Sequence, residues 1–258
     1  MPTLTLLRHG KSIWNKEKRF TGWTDVVLSK HGVLEAERAG QLLNAQGLQF
    51  DLCFTSCLGR ATETLRIVLG TMNQANVPIQ KSWRLNERHY GALQGLDWWE
   101  ATRKYGAKQL LIWQRHFDSP PPPLDITDTR FPGHDPLYSK ISPTELPRSE
   151  SLKDTLARLL PFWHETIVPE LQQQKRILIV AHNNSLRSLL KHVDNISDKD
   201  IQKIAIRTAA PIVYELDDQM RPCSRLHLQS QSKIKEWAQG KLADWINRSS
   251  GKDQRGSI

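Results

Sequence analysis

Two apolar runs in this chain each end in a histidine. Thr3 to Arg8 (TLTLLR) opens into Arg8-His9-Gly10, and Arg176 to Ala181 (RILIVA) opens into His182-Asn183-Asn184-Ser185. A neutral imidazole nitrogen can attack phosphorus and hold it as phosphohistidine, provided cations neutralise the equatorial oxygens. Arg8 and Arg60 are the candidate clamps, because the guanidinium fork matches phosphate oxygens. Backbone amides near Gly10 and at the helix start after His182 add donors, and the helix dipole favours an anion there. Exchange with a hydroxyl also needs a general acid or base, and Glu87 is the candidate. Taken singly, either histidine reads as a satisfied polar residue and Glu87 as a surface carboxylate. The pairing carries the chemistry.

Such groups work only if rigid elements hold them. Both histidine runs read as buried parallel strands, and function at their carboxyl ends follows from that. Between them, Ser29 caps a predicted helix on Val33, Ala36, Ala39, Leu42 and Leu43 that Gly47 closes. A strand Asp51 to Thr55, a helix Leu58 to Met72 and a strand Val77 to Trp83 complete a βαβαβ order. That order predicts an α/β fold with a mainly parallel central sheet and ligands at the strands' carboxyl ends. Helical patterns at Asp97 to Gly106 and Lys108 to Phe117 stop at four prolines, Pro120 to Pro123, and a polar stretch runs on to Pro147. The segment from about 97 to 147 reads as an insertion, either a lid over the pocket or a surface excursion. Ser151 and Asp154 form a capping box for a helix on Leu152, Leu156, Leu159, Leu160 and Trp163. A helix Leu186 to Val193, a strand Pro211 to Leu216 and an amphipathic helix Gln229 to Asn247 follow, and the last ten residues are polar and predicted to be disordered.

At 258 residues and 38% hydrophobic, the chain can bury one large core. No apolar run nears the roughly 20 residues that cross a bilayer, and Met1 leads straight into a strand without a signal-peptide layout. A cytoplasmic protein that does not engage a membrane is expected. Cys53, Cys57 and Cys223 form no CxxC pair, so they read as reduced thiols. The nine histidines include no HxxH or HExxH, and no metal is expected. The net charge of +9 is spread along the chain, with modest enrichment at Lys11 to Arg19, which fits a small acidic substrate better than nucleic acid.

Four long motifs resemble one family. Leu7 to Asn15 (LRHGKSIWN) with Arg19 to Trp23 (RFTGW), Arg84 to Leu96 (RLNERHYGALQGL), Leu146 to Asp154 (LPRSESLKD) and Ala181 to Arg187 (AHNNSLR) look like the cofactor-dependent phosphoglycerate and bisphosphoglycerate mutases, animal-type branch, within the histidine phosphatase superfamily. The resemblance spans about residues 4 to 222. It implies a three-layer, phosphoglycerate mutase-like α/β catalytic domain over 1–222, followed by a basic helix and tail over 223–258. It also implies that His9 becomes the phosphohistidine, that His182 stabilises the moving phosphoryl group, and that Glu87 carries the proton. Arg8, Ser12, Asn15, Arg60, Asn183 and Asn184 would serve the phosphoryl group, while Thr21, Gly22, Arg88, His89, Tyr90 and Arg115 would grip the glycerate and second phosphate. The implied reaction interconverts 3-phosphoglycerate and 2-phosphoglycerate, with 2,3-bisphosphoglycerate as primer and intermediate, in a homodimer.

The match has gaps in the pocket. Lys11 stands where the family carries Glu, Trp98 where it carries Lys, Gln114 where it carries Arg, and Asn183 and Ala209 where it carries Gly. Losing one charge-assisted contact costs about 1.5–3 kcal/mol, so retention of a highly anionic intermediate would weaken by about tenfold to a hundredfold. Lys11 would restore a charge and depress the pKa of His9, and Asn183 is the side chain that best tolerates a left-handed backbone in place of Gly. Two other outcomes fit the same residues: a histidine phosphatase on a related phosphorylated substrate, and a catalytically weakened member that binds sugar phosphates.

Overall fold

The computed structural model describes residues 1–228. Within it, β1 (Thr3–Arg8) leads to a one-turn helix α1 (Ile13–Lys16) and then α2 (Lys30–Ala45). β2 (Leu52–Thr55), α3 (Gly59–Thr71) and the three-residue β3 (Ile79–Lys81) follow. α4 (Trp98–Tyr105) and α5 (Ala107–Arg115) precede the proline-rich stretch. α6 (Leu152–Phe162) runs through a π-helical turn into α7 (Val168–Gln172), ahead of β4 (Arg176–Ala181) and α8 (Asn183–Val193). β5 (Ile212–Leu216) and β6 (Pro222–His227) close the described chain.

The six strands form one sheet in the order β3-β2-β4-β1-β5-β6. The first four run parallel, and β5 pairs antiparallel with both β1 and β6. Alternation along the central strands sorts their side chains to two cores. Leu4, Leu6, Ile177 and Ile179 pack with Leu159, Trp163, Leu186 and Leu189, from the α6 and α8 layer and the turn after α6. Leu7, Leu178 and Val180 pack with Ala36, Leu43, Leu65 and Val68 of the α2 and α3 layer. The expected three-layer architecture is therefore present, and helix caps at Ser29 and Ser151 bond as the sequence indicates.

Four details differ from the sequence reading. β3 is shorter than Val77 to Trp83 because Pro78 has no N–H to pair, although its carbonyl accepts from Cys53. α8 starts at Asn183 rather than Leu186, since the polar residues after His182 turn their free N–H groups into the site. β6 was not anticipated: its burial simply alternates at a sheet edge, and a domain boundary at 222 cuts through it. The predicted insertion over 97–147 divides in two: α4 and α5 supply Trp98 and Gln114 to the cleft described below, while the proline-rich stretch after them packs away from it. In that stretch Phe131, Tyr138 and Leu146 pack on Trp23, and the cleft is lined by no residue between 116 and 150. The predicted tail helix and the polar last ten residues lie outside the described residues.

Candidate active site

The sheet register explains why the two histidines meet. β1 and β4 are neighbours with Arg8 level with Ala181, so the next residue of each strand, His9 and His182, emerges side by side. The His9 N–H donates to the Ala181 carbonyl at 3.0 Å, and the two rings lie 4.9 Å apart. β2 flanks β4 on the other side with Thr55 level with Val180, which brings Ser56 to the same end.

His9 is 2% exposed, and its Nδ1 lies 2.7 Å from the Gly10 carbonyl. A carbonyl only accepts, so Nδ1 carries the proton and Nε2 keeps its lone pair. Burial, then Arg60 and Arg8, push the His9 pKa well below the ordinary histidine value, which keeps the nucleophile neutral. Lys11 plays no part in that shift, contrary to expectation, nor does it line the cleft; its backbone N–H donates to Glu35 Oε2 at 2.8 Å. Gly10 is required here because a Cβ would meet the Gly32 carbonyl oxygen at 2.2 Å.

The second histidine is held by Ser56. The Ser56 hydroxyl accepts the Leu58 N–H at 3.2 Å and lies 2.7 Å from His182 Nε2. We assign the hydroxyl proton to Nε2, which leaves the ring proton on Nδ1, a buried nitrogen without a hydrogen-bond partner among the described residues. His182 is also pushed well below the ordinary histidine pKa, by burial and then by Arg60. Arg8 presents the same pattern: its Nη1 donates to the Ile206 carbonyl at 2.7 Å, while its buried Nε has no partner among the described residues. Buried donors are nearly always satisfied, so two idle ones around His9 mark a place for an acceptor-rich anion.

Arg60, the second residue of α3, is 1% exposed and donates to the carbonyls of Thr24 and Gly22 at 2.9 and 2.8 Å. Burial lowers its pKa to about 10, still charged at neutral pH. Gly22 takes φ +53°, and a Cβ there would strike the Gln94 side chain. Glu87 Oε1 accepts the N–H groups of Arg88 at 2.8 Å and Asn184 at 3.0 Å, the latter from the first turn of α8. That pins the carboxylate at the rim.

Arg8, His9, Asn15, Thr21, Gly22, Arg60, Glu87, Tyr90 and Asn183 line a cleft of about 270 Å³, whereas His182, fully buried beside His9, is not among its lining residues. Asn15 is held by reciprocal bonds with Ser12, whose own side chain is buried away from the cleft. Arg115 and Asn184 line an adjoining hollow instead. Arg88 and His89 line neither. Arg88 donates to the Trp113 carbonyl at 2.9 Å, and its guanidinium sits over the Tyr90 ring. His89 is buried against Trp23 with its pKa pushed down to about 3 by burial. Asn183 is helical rather than left-handed, and its Oδ1 accepts the Ile206 N–H at 3.1 Å. Ala209 does adopt the left-handed backbone, φ +48°, with its N–H donated to the Arg8 carbonyl at 2.9 Å.

Three wall residues escaped the sequence reading. Lys18, at φ +57°, lines the cleft without an ion pair among the described residues. Arg19 lines it too but is tied to Glu17, Asp97 and Glu100. Phe20 stacks on Trp98. The basic enrichment at Lys11 to Arg19 was the available signal, although it named no single residue. Glu35 was missed as well; it links the loop after β1 to Thr208, whose hydroxyl donates to it at 3.0 Å.

Solved structures share this fold. A mycobacterial glucosyl-3-phosphoglycerate phosphatase is 20% identical, with 89% of this chain and 99% of that chain covered and a TM-score of 0.66. The alpha-ribazole phosphatase of Shigella flexneri is 20% identical over 88% of this chain and 96% of its own, with a TM-score of 0.65. YhfR of Bacillus stearothermophilus is 27% identical over 83% and 91%, with a TM-score of 0.64. Among the described residues, no helix is long and apolar enough to cross a membrane. The model of branch 1 of the histidine phosphatase superfamily matches residues 4–229, a span that includes both strand-end histidines, both arginines and Glu87, and the chain belongs to that superfamily.

Proposed function

We propose that the protein is a histidine phosphatase, working through a phosphohistidine at His9, that acts on a small phosphorylated acid. One observation carries this reading: two buried nitrogens without partners among the described residues, Arg8 Nε and His182 Nδ1, stand around a neutral histidine whose Nε2 keeps its lone pair. His9 Nε2 attacks the phosphorus of the ester, the bond to the leaving oxygen breaks, and Glu87 protonates that oxygen. Water then attacks the phosphohistidine, giving its proton to Glu87, and inorganic phosphate leaves with His9 restored. Arg8, Arg60, Asn15 and the His182 N–H neutralise the equatorial oxygens throughout. Trp98 and Gln114 at the cleft wall favour release over retention, because neither holds an anionic product by charge. The solved phosphatases of the same fold support the same direction.

The four motifs favour a second reading, a phosphoglycerate mutase primed by 2,3-bisphosphoglycerate, and Lys18 supplies one cation toward it. The acceptor of the second step separates the two readings. Incubation with 3-phosphoglycerate and a trace of 2,3-bisphosphoglycerate, followed by assay of inorganic phosphate and 2-phosphoglycerate, is the test. Phosphate in excess supports the phosphatase; 2-phosphoglycerate in excess supports the mutase. Absence of acid-labile label on His9 with either compound refutes both. Cytoplasmic location and homodimer formation belong to the same proposal.

A further inference from the structure

The His9 cleft does not end at Asn183. It shares Tyr90, Gln114 and Asn183 with a second hollow of about 650 Å³, more than twice its size. The far wall of this basin is cationic. Arg115 comes from the end of α5, Arg187 from α8, and Lys199 and Lys203 from the segment after α8, while among the described residues no Asp or Glu lines it. Lys203 pairs with Asp200 at 2.9 Å, whereas Arg115, Arg187 and Lys199 form no ion pair among the described residues.

Arg187 distinguishes the basin from an ordinary basic surface. It is 5% exposed, its Nη1 and Nη2 donate to Asn184 Oδ1 at 2.8 Å and the Ile201 carbonyl at 2.7 Å, and its buried Nε has no partner among the described residues. Glu87 acts on this guanidinium without forming an ion pair with it, and a buried cation with no direct ion pair is costly unless an anion arrives to pair it. The neck between the hollows is neutral and polar, lined by the amides of Gln114 and Asn183 and by Tyr90. Such a neck suits hydroxyl groups.

We propose that this basin is a second anion subsite of the same active site, and that the substrate is a phosphate monoester longer than a three-carbon acid with a phosphate or carboxylate at its far end. For the scissile end the proposal rests on the phosphohistidine reading of His9. For the far end it rests on the basin alone.

Calorimetric titration of the His9→Ala protein with hexane-1,6-diyl bisphosphate and with hexyl phosphate reads the basin without turnover. The expected result is binding of the bisphosphate at least about tenfold tighter than that of the monophosphate, the effect of one charge-assisted contact. That preference should vanish in Lys199→Glu/Lys203→Glu. It should persist in Lys30→Glu/Lys140→Glu, which makes the same change in net charge at exposed lysines lining neither hollow. All four lysines are exposed, so folding is not at stake. Equal binding of the two ligands, or a preference that survives Lys199→Glu/Lys203→Glu, overturns the subsite. Phosphate release by the unmutated protein is read separately: a preference without turnover sinks the His9 chemistry and leaves the basin standing, and turnover without preference does the reverse.

Discussion

Ser56 is the residue whose removal tests the tautomer argument most directly. Its hydroxyl lies 2.7 Å from His182 Nε2, and among the described residues it is the ring's one hydrogen-bond partner, Nδ1 having none. In Ser56→Ala the imidazole is free to protonate on Nε2, and the donor facing the phosphoryl group becomes an acceptor. Loss of one hydrogen bond to a charged group costs about 1.5–3 kcal/mol, so phosphorylation of His9 should slow by about tenfold to a hundredfold. Stability should also fall by about 1–3 kcal/mol, because Nε2 and the Leu58 N–H lose their partner in the interior. The assay is quenched-flow formation of acid-labile label on His9 from 2,3-bisphosphoglycerate, with a thermal melt to show that the variant is folded. Two comparisons separate chemistry from damage. Ser56→Thr keeps the hydroxyl and should recover most of the rate, and Ser56→Ala should cost nothing further when His182 is already Ala. An equal loss in the His182→Ala background would refute the argument, since Ser56 would then act by some route other than the ring.

Three more outcomes are expected. Because His9, His89 and His182 are all held below the ordinary histidine pKa, the unfolded chain binds protons that the folded one refuses; stability is complete above about pH 6.5 and falls below it, by about 1.4 kcal/mol per unit for each group. Urea midpoints measured between pH 7 and 5 should decline steeply, with His89 contributing down to about 3, and a flat profile would contradict the burial argument. Trp98→Lys with Gln114→Arg should raise the yield of 2-phosphoglycerate relative to inorganic phosphate by about tenfold or more, since each change adds a charged contact to the departing intermediate. Unchanged partitioning would show that these positions do not govern release. Gln174, exposed just past α7 at φ +61°, carries a left-handed strain of about 1–2 kcal/mol that glycine avoids, so Gln174→Gly should raise the melting temperature, and a lower one would count against the strain.

The amino-acid sequence alone determined most of the elements, β6 excepted, and the chemistry they carry. The runs TLTLLR and RILIVA are too apolar to be anything but buried strands, the caps at Ser29 and Ser151 depend on neighbours three residues away, and histidine, arginine and glutamate have their reactivity wherever they stand. Tertiary structure decided which groups meet. That β4 lies between β1 and β2, although last of the three in the chain, is a matter of sheet order, and it sets His182 against both His9 and Ser56. Neighbouring residues in one motif were likewise divided by packing: Glu87 and Tyr90 face the cleft, while Arg88 and His89 between them turn inward to Trp113 and Trp23. Local pattern cannot make that distinction, because the direction of a loop side chain is set by partners far away in sequence. Lys18 and the basin around Arg187 belong to the same class, assembled from loops and helix ends whose side chains are ordinary surface cations until the fold gathers them.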